Sequence, residues 1–519
     1  MKTFDKVEIL KNVGSSWFAL GVNILVGVSL SPYILHRLGD HAFGLWILVF
    51  SITGYYGLFD LGIRSSIIRY VAKYAVLENH NQLNRLINTA MFSYIGIGLV
   101  AMLITVIGFF HMSSIFRIPA DFVTTARLLF LMVGAAVAAG FPLGVFGGIL
   151  EGLQRFYVLN FTNVSSTLVR ALLIVLALRH GRGLLTIALI TVCLPLVAAL
   201  VNATVVLRIL PLRFGAKYLD WSTLRRIANY SGATFIIIVG GRLRFKTDAV
   251  VIGTFLSSAA ITYFAIASRL VDYASEVVSG LAQIFVPMSS QSQATGDSVR
   301  LRKILVAGNR ACALIIFPIT AMLIILGKSV IEAWVGAKYV ATSYPVLLLL
   351  LIPSTLMLAQ SASGRTLWGM ARHGTWAWVV LIEGIANLIL SIVLVRRFGI
   401  IGDALGTAIP LTCTMVFFLP RHVCRLLDIP LKTYLSQAYL LPLSLCAPLV
   451  AVLLWMRHWF VAHTYLQLAI QLLIGSAVYG IGLLWAIWTH RAWKIDELSG
   501  EKQPLERTLA VVQTYPEEA

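Results

Sequence analysis

Charge is scarce in this chain. Of its 519 residues only 12% are Asp, Glu, Lys or Arg, while 59% are hydrophobic. An ordinary soluble domain has about 25% of the first and about 45–50% of the second. That much apolar surface excludes a water-solvated globular domain and requires lipid as solvent. Cysteine is scarce too: Cys193, Cys312, Cys413, Cys424 and Cys446 stand singly. Without a CxxC or Cys/His spacing they support neither a metal site nor a disulfide framework. No GxxxxGK[ST] loop occurs, which excludes ATP hydrolysis by the P-loop route, and neither HExxH nor GxSxG is found. Long hydrophilic loops are missing as well, and the connections near 69–86, 208–225 and 421–437 are too short for a soluble catalytic domain.

What is present is a succession of apolar runs. They fall at about 12–36, 43–68, 87–111, 123–149, 159–179, 184–207, 226–253, 260–289, 303–327, 344–364, 376–395, 401–420, 438–456 and 466–489. Runs of this length are helical spans, not the short alternating strands of a membrane barrel. The expected fold is an all-α integral membrane protein of about fourteen transmembrane helices. The net charge of +19 does not read as nucleic-acid binding, because most basic residues lie in short segments between spans. A large majority of those lie on the N-terminal side, which places both termini in the cytoplasm. The opening MKTFDKVEILKNVGSS lacks a convincing cleavable signal, so the first helix is expected to be retained. The mostly polar stretch 490–519 reads as a cytoplasmic tail.

A weak internal repeat accompanies the spans. LGDHAFGLWILVFS (38–51) and LSSAAITYFAIASR (256–269) align at an offset of 218, each a small or polar loop followed by an aromatic-rich helix start. Two six-span halves related in this way are a common transporter plan, with the binding site between the halves.

LGDHAFGLWILVFSITGYYGLFDLGIRSSIIRYVAKY (38–74) resembles the opening signature of polysaccharide-exporting flippases. These form the O-antigen flippase branch of the superfamily that also holds the lipid II flippase and multidrug antiporters. TDAVVIGTFLSSAAITYFAIASRL (247–270), WVGAKYVATSYPVLLLLLIPS (334–354) and RFGIIGDALGTAI (397–409) extend the resemblance over nearly the whole chain. It implies two six-helix lobes around a central cavity plus two C-terminal helices. The corresponding ranges are 1–207 for the N-lobe, 208–420 for the C-lobe and 421–489 for spans 13 and 14. It also implies alternating access, no cofactor, and coupling to H+ or Na+ movement. The cargo implied is an undecaprenyl-pyrophosphate-linked glycan, turned over in the bacterial inner membrane. Polymerase and chain-length proteins of a polysaccharide pathway are the implied partners. The cluster Arg242 to Lys246 departs from the family pattern in being more basic than expected for that helix.

The buried charges carry the site reading. A charge at the bilayer centre costs on the order of 3 kcal/mol, unless it faces water or a partner. FIIIVGGRLRFKTDAVVIGTFL (235–256) contains Arg242, Arg244, Lys246 and Asp248. Residues four apart share a helix face, so Arg242 and Lys246 are expected to face the cavity and bind substrate. Arg244 and Asp248 are expected to pair with each other. The alternative is that this span ends early and the cluster snorkels to an interface. Arg170 and Arg269 lie deep in their spans and are further candidates for substrate binding, whereas Arg127 and Arg310 are expected at the interface. Guanidinium suits a diphosphate because it grips phosphate oxygens in bidentate geometry.

Among the acids, Asp60 and Arg64 are four apart, expected as a helix-end brace or gate. Asp272 and Glu276, with Arg269 nearby, make a candidate proton or sodium site. Glu383 is a lone carboxylate that must be paired, protonated or wet, and with Asp248 it is a further candidate for ion coupling or gating. His111, His180 and His458 stand at span ends and read as interfacial. The competing functions are a multidrug or cation antiporter, which favours an acidic cavity, and a membrane enzyme of polysaccharide assembly, which needs a sizeable external loop. A purely structural role in a synthesis complex is the third.

Overall fold

A computed structural model of the chain describes residues 6–77, 79–459 and 464–489; the expected tail at 490–519 lies outside them. Among the described residues there is no strand. In hydrocarbon each backbone N–H and C=O must find a partner within its own segment, and helices do this. The N-terminal half contains α1 (Lys6–Leu38), α2 (Asp40–Gly54), α3 (Ile63–Val76), α4 (His80–Ile115), α5 (Val123–Gly152), α6 (Phe156–Arg179) and α7 (Leu184–Ile209). The next part contains α8 (Trp221–Phe245), α9 (Asp248–Phe255), α10 (Ser258–Ala282), α11 (Phe285–Ala294), α12 (Ser298–Val335), α13 (Val340–Ala359), α14 (Ser361–Gly369), α15 (Gly374–Cys413) and α16 (Leu419–Leu427). After these come the short α17 (Leu431–Leu435), then α18 (Leu441–Trp459) and α19 (Tyr465–Trp488).

Eleven of the described helical stretches are long and apolar enough to cross a membrane. The segments α8–α9 and α10 fall outside that set, and both carry charges within their length. Gly374–Leu427, counted as one stretch, is two antiparallel arms. Gly399 adopts φ 57, ψ −137 and turns the chain back. The arms then press so close that a Cβ at Gly402 would lie 2.1 Å from the Leu394 carbonyl oxygen. On α4, Leu99, Leu103, Ile107 and Phe110 are all exposed, one turn apart, as expected of a stripe that lipid solvates.

Four expected spans run through helix breaks. The span at 43–68 stops being α-helical at Gly54 and continues as a 3-10 turn, Tyr55–Asp60. Leu61 and Gly62 then take positive φ of 48° and 77° before α3 begins. Likewise 226–253 breaks between α8 and α9, 260–289 between α10 and α11, and 344–364 between α13 and α14. Hydropathy follows solvent preference and is blind to φ, so apolar residues carry the signal through each break.

The internal repeat extends through the helix order. A shift of 218 residues carries Asp40 onto Ser258, His80 onto Ser298 and Phe156 onto Gly374, each the first residue of its helix. Near their starts, α2 and α10 pack directly on one another. A Cβ on Gly44 would come within 1.7 Å of the Ser258 carbonyl oxygen, and the Thr262 hydroxyl donates to the Asp40 carbonyl at 2.7 Å. Asp40 and Ser258 are repeat counterparts, as are Gly44 and Thr262. The contact is therefore self-complementary, the pattern of a two-fold interface.

The last pair of helices packs on α12, with Leu314 and Leu326 against Leu449, Leu453 and Leu468. Two π-turns, Thr414–Phe418 and Ser436–Leu440, lie in this region. Each has a carbonyl captured from outside: Gln360 Nε2 donates to Met415 O at 2.9 Å and Arg310 Nε to Gln437 O at 2.7 Å. Arg310 is thus buried, only 5% exposed, and not interfacial. Because α12 begins at Ser298, Arg310 is three turns inside the helix.

Candidate functional site

A cavity of about 690 Å³ lies between the halves. From the N-terminal half α1, α2, α6 and α7 line it, and from the other half α8, α9, α10, α13 and α15. Arg170, Arg242, Lys246 and Arg269 all stand in its wall, together with two acids, Asp248 and Asp272. The break between α8 and α9 places Lys246 at the mouth of a helix end, exposed. Arg242 reaches across to the N-terminal half, where a Cβ on Gly57 would come to 3.0 Å of its guanidinium. In low-dielectric surroundings such a cluster attracts an anion far more strongly than in water.

Sequence reasoning missed the aromatic part of the same wall. Trp46 and Phe50, one turn apart on α2, line the cavity with ring centroids 4.8 Å apart. Phe245 joins them, 43% exposed. Asn23, Ser51, Ser268 and Ser275 add neutral hydrogen-bonding groups. The available signal was the shared face of Trp46, Phe50, Ser51 and Gly54 on a helical wheel.

Behind the wall is a second, buried polar cluster. Arg244 forms an ion pair with Glu383 of α15, their side chains 6% and 2% exposed. Asn387 donates to the Arg244 carbonyl at 3.0 Å and to the Thr407 hydroxyl at 3.1 Å. Thr407 in turn donates to Asp248 Oδ1 at 3.0 Å. Ser391 donates to Asn387 Oδ1 and lies within reach of the Asp403 carbonyl. Asp403, one turn before Thr407, is fully buried, and its carboxylate oxygens have no hydrogen-bond partner among the described residues. It escaped the sequence reading, although an acid set between glycine and alanine in an apolar run, with Thr407 four residues on, was a usable sign.

Several expected pairings are not made. Arg244 pairs with Glu383 instead of Asp248, because the helix is broken between them and the four-residue spacing no longer puts them on one face. The Asp60–Arg64 side-chain pair fails for the same reason, the positive φ at Leu61 and Gly62. Arg64 pairs with Glu151 at 2.6 Å, and Asp60 accepts from the Tyr94 hydroxyl. Neither Asp60 nor Arg64 lines the cavity, nor does Glu383. The Arg269, Asp272 and Glu276 trio is divided: the first two line the cavity, whereas Glu276 is exposed outside the lining. His111, His180 and His458 are exposed at their helix ends. Arg127 donates to Ser113 at 3.0 Å near the end of its own span.

The halves are also joined at both ends of the cavity. At the end where α2 starts, Asp40 accepts from Lys338 Nζ at 2.7 Å and from the Tyr339 hydroxyl at 2.5 Å. Nearby, Trp334 Nε1 donates to Val28 O at 2.7 Å. Toward the other end, the Tyr55 and Thr247 hydroxyls share a 2.8 Å hydrogen bond.

This is the architecture of a polytopic membrane transporter fold. Over 94% of this chain and all of the other, it superposes on the lipid II flippase MurJ in its inward closed conformation, with a TM-score of 0.72 and 16% identity. Residues 9–293 match the polysaccharide biosynthesis protein family, and the chain belongs to that family. A protein of Shigella flexneri named as an O-antigen transporter is 17% identical over 409 residues, 78% of this chain and 95% of that one. A protein of Haloferax volcanii named as a low-salt glycan biosynthesis flippase is 23% identical over 190 residues, 37% of this chain. That alignment takes in only 40% of the Haloferax protein's length. Both relatives carry transporter names, not enzyme names.

Proposed function

We propose that this protein is a flippase that carries an undecaprenyl-diphosphate-linked oligosaccharide across the inner membrane by ion-coupled alternating access. The observation that carries the reading is the cavity wall itself, with Arg170, Arg242, Lys246 and Arg269 converging from both halves. A diphosphate diester bears two negative charges, which the four cations balance even with Asp248 and Asp272 ionised. Arginine supplies the bidentate geometry that phosphate oxygens accept. Trp46 and Phe50 offer apolar ring faces against which a sugar can stack. A volume of about 690 Å³ is that of a small-molecule site, in the range of about 300–1,000 Å³. It holds the diphosphate and the first sugars while the polyprenyl chain stays in lipid. Drug-like cations would meet net repulsion there.

On this reading residues 1–207 and 208–420 are the two lobes, with 421–489 a C-terminal pair, and both termini are cytoplasmic. The eleven apolar stretches, the second arm of α15, α8–α9 and α10 then make fourteen crossings. Of the expected coupling candidates this reading keeps Asp248 and joins Asp403 to it, in place of Asp272 and Glu276. A buried carboxylate must be neutralised, and a proton or Na+ held with the Thr407 and Asn387 side chains does this. Polymerase and chain-length proteins would act downstream.

The test is where lipid-linked repeat units collect when the gene is deleted. Complete units on the cytoplasmic leaflet, cleared by the wild-type gene but not by Arg170→Ala or Arg269→Ala at equal protein levels, are the expected result. Units already on the outer leaflet would overturn the reading.

A further inference from the structure

The connection between the halves, residues 210–220, is not a slack tether. Three buried side chains on α4 grip its backbone. Asn84 Oδ1 accepts from Arg213 N at 3.0 Å, Asn88 donates to Arg213 O at 2.8 Å and accepts from Gly215 N at 2.9 Å, and Thr89 Oγ1 accepts from Asp220 N at 3.2 Å. Asn88 is 1% exposed and Thr89 is fully buried. With its polar backbone satisfied from inside, the segment turns other groups outward. Phe214 and Leu219 are each 48% exposed and Trp221 is 78% exposed. Arg213, Lys217 and Arg225 are exposed among them. The one acid in 208–225 is Asp220, and it is occupied as the cap of α8, accepting from the Ser222 and Thr223 hydroxyls at 2.7 and 2.6 Å.

The depth of this surface identifies what it meets. Helix α7, which leads into it, has 26 residues, about 39 Å at 1.5 Å per residue. A bilayer with its headgroups is about 40–45 Å thick. The segment therefore emerges at headgroup level, where Trp and cationic side chains settle together.

We infer that residues 213–225 form a docking surface for anionic phospholipid headgroups, held in shape by Asn84, Asn88 and Thr89. Its cations meet the lipid phosphates and its aromatic and aliphatic side chains enter the acyl boundary. The hinge between the halves is thereby pinned to the leaflet, and α8 starts from a fixed depth. Nothing in this depends on the cargo, so it stands or falls separately from the flippase reading.

The experiment is native mass spectrometry of the full-length protein titrated with phosphatidylglycerol and, separately, phosphatidylcholine. A cation near an anionic lipid surface contributes about 1 kcal/mol, or about fivefold in affinity. The Arg213→Gln/Lys217→Gln/Arg225→Gln variant is expected to lose the preference for phosphatidylglycerol by at least about fivefold. Trp221→Ala is expected to weaken both lipids alike. All four side chains are exposed, and an unchanged thermal midpoint confirms that the variants remain folded; the three single cation substitutions, each worth about fivefold, serve if the triple variant does not. A preference for phosphatidylglycerol that survives these substitutions in folded protein overturns the inference.

Discussion

At the scale of single residues, the buried charges divide by what they face. Arg244 and Glu383 face each other in a dry interior, 6% and 2% exposed. Removing one partner of such a pair costs about 3–5 kcal/mol, because the other is left buried and unpaired. Glu383→Leu is accordingly expected to lower stability by that amount. The Arg244→Met/Glu383→Leu double variant should recover much of the loss. Thermal unfolding in detergent decides, and a single variant as stable as wild type would mean that Arg244 finds another partner. Arg170 faces the cavity instead, so Arg170→Ala should leave stability within about 0.5 kcal/mol. Losing a charge-assisted hydrogen bond to phosphate, about 1.5–3 kcal/mol, should reduce export about tenfold or more. Asp403→Asn keeps the size and removes a carboxylate that has no hydrogen-bond partner among the described residues. Stability should hold or rise while dependence of transport on a proton or sodium gradient disappears; transport that still follows the gradient would return the coupling role to Asp272. All four cavity cations were legible in the sequence, since a charge in a long apolar run must face water or a partner. The partners of Arg64 and Arg244 were not, since pairing depends on a helical register that the breaks at Leu61–Gly62 and Lys246–Thr247 destroy.

At the scale of the element, length and hydropathy located the crossings, and the breaks did not show in hydropathy because nothing in an apolar residue's solvent preference reports its φ; only the charges of 242–248 suggested one, as a span that ends early. The start of α8 is an exception that local chemistry explains. Asp220 adopts the extended conformation of an N-cap, and its side chain accepts from Ser222 N and Thr223 N. The hydroxyls of Thr223 and Ser222 add to this and hold its carboxyl at about 2, against about 3.9 in an unfolded chain. A carboxyl lowered in the folded state stabilises above its unfolded value. That contribution fades as pH falls below about 4 and is gone once pH passes through about 2. Amide exchange in the first turn of α8, corrected for its intrinsic pH dependence, should therefore accelerate in that window. Asp220→Ala should show the faster exchange already at neutral pH and no acceleration on acidification. An acid-induced acceleration that persists in Asp220→Ala would assign it to another group.

At the scale of the molecule, the two halves meet about an axis that passes close to Gly44 and Ser258. The repeat was visible in sequence at one place only, the starts of α2 and α10. There the backbones touch, so Gly44 has no room for a side chain and its counterpart Thr262 hydrogen-bonds the Asp40 carbonyl. Elsewhere the counterparts face different surroundings, α4 holding the linker and α12 the last helix pair, and their side chains have diverged beyond recognition. On the proposed reading the halves rock about this contact, so the bonds that join them where α2 starts have to open in each cycle. In this conformation Asp40 joins the halves through Lys338 and Tyr339. Lys338 is 59% exposed, so the ion pair adds only about 0–1 kcal/mol, a latch weak enough to open in each cycle. Asp40→Asn should thus shift the conformational balance modestly and leave transport measurable. A permanent bond at the same place should stop it. With Cys413, which is exposed, replaced by Ser, Asp40→Cys and Lys338→Cys joined by a short cleavable thiol cross-linker are expected to abolish transport until the linker is cut. Full transport by the cross-linked protein would show that this end of the cavity never needs to open, and rocking about the α2–α10 contact would have to be abandoned.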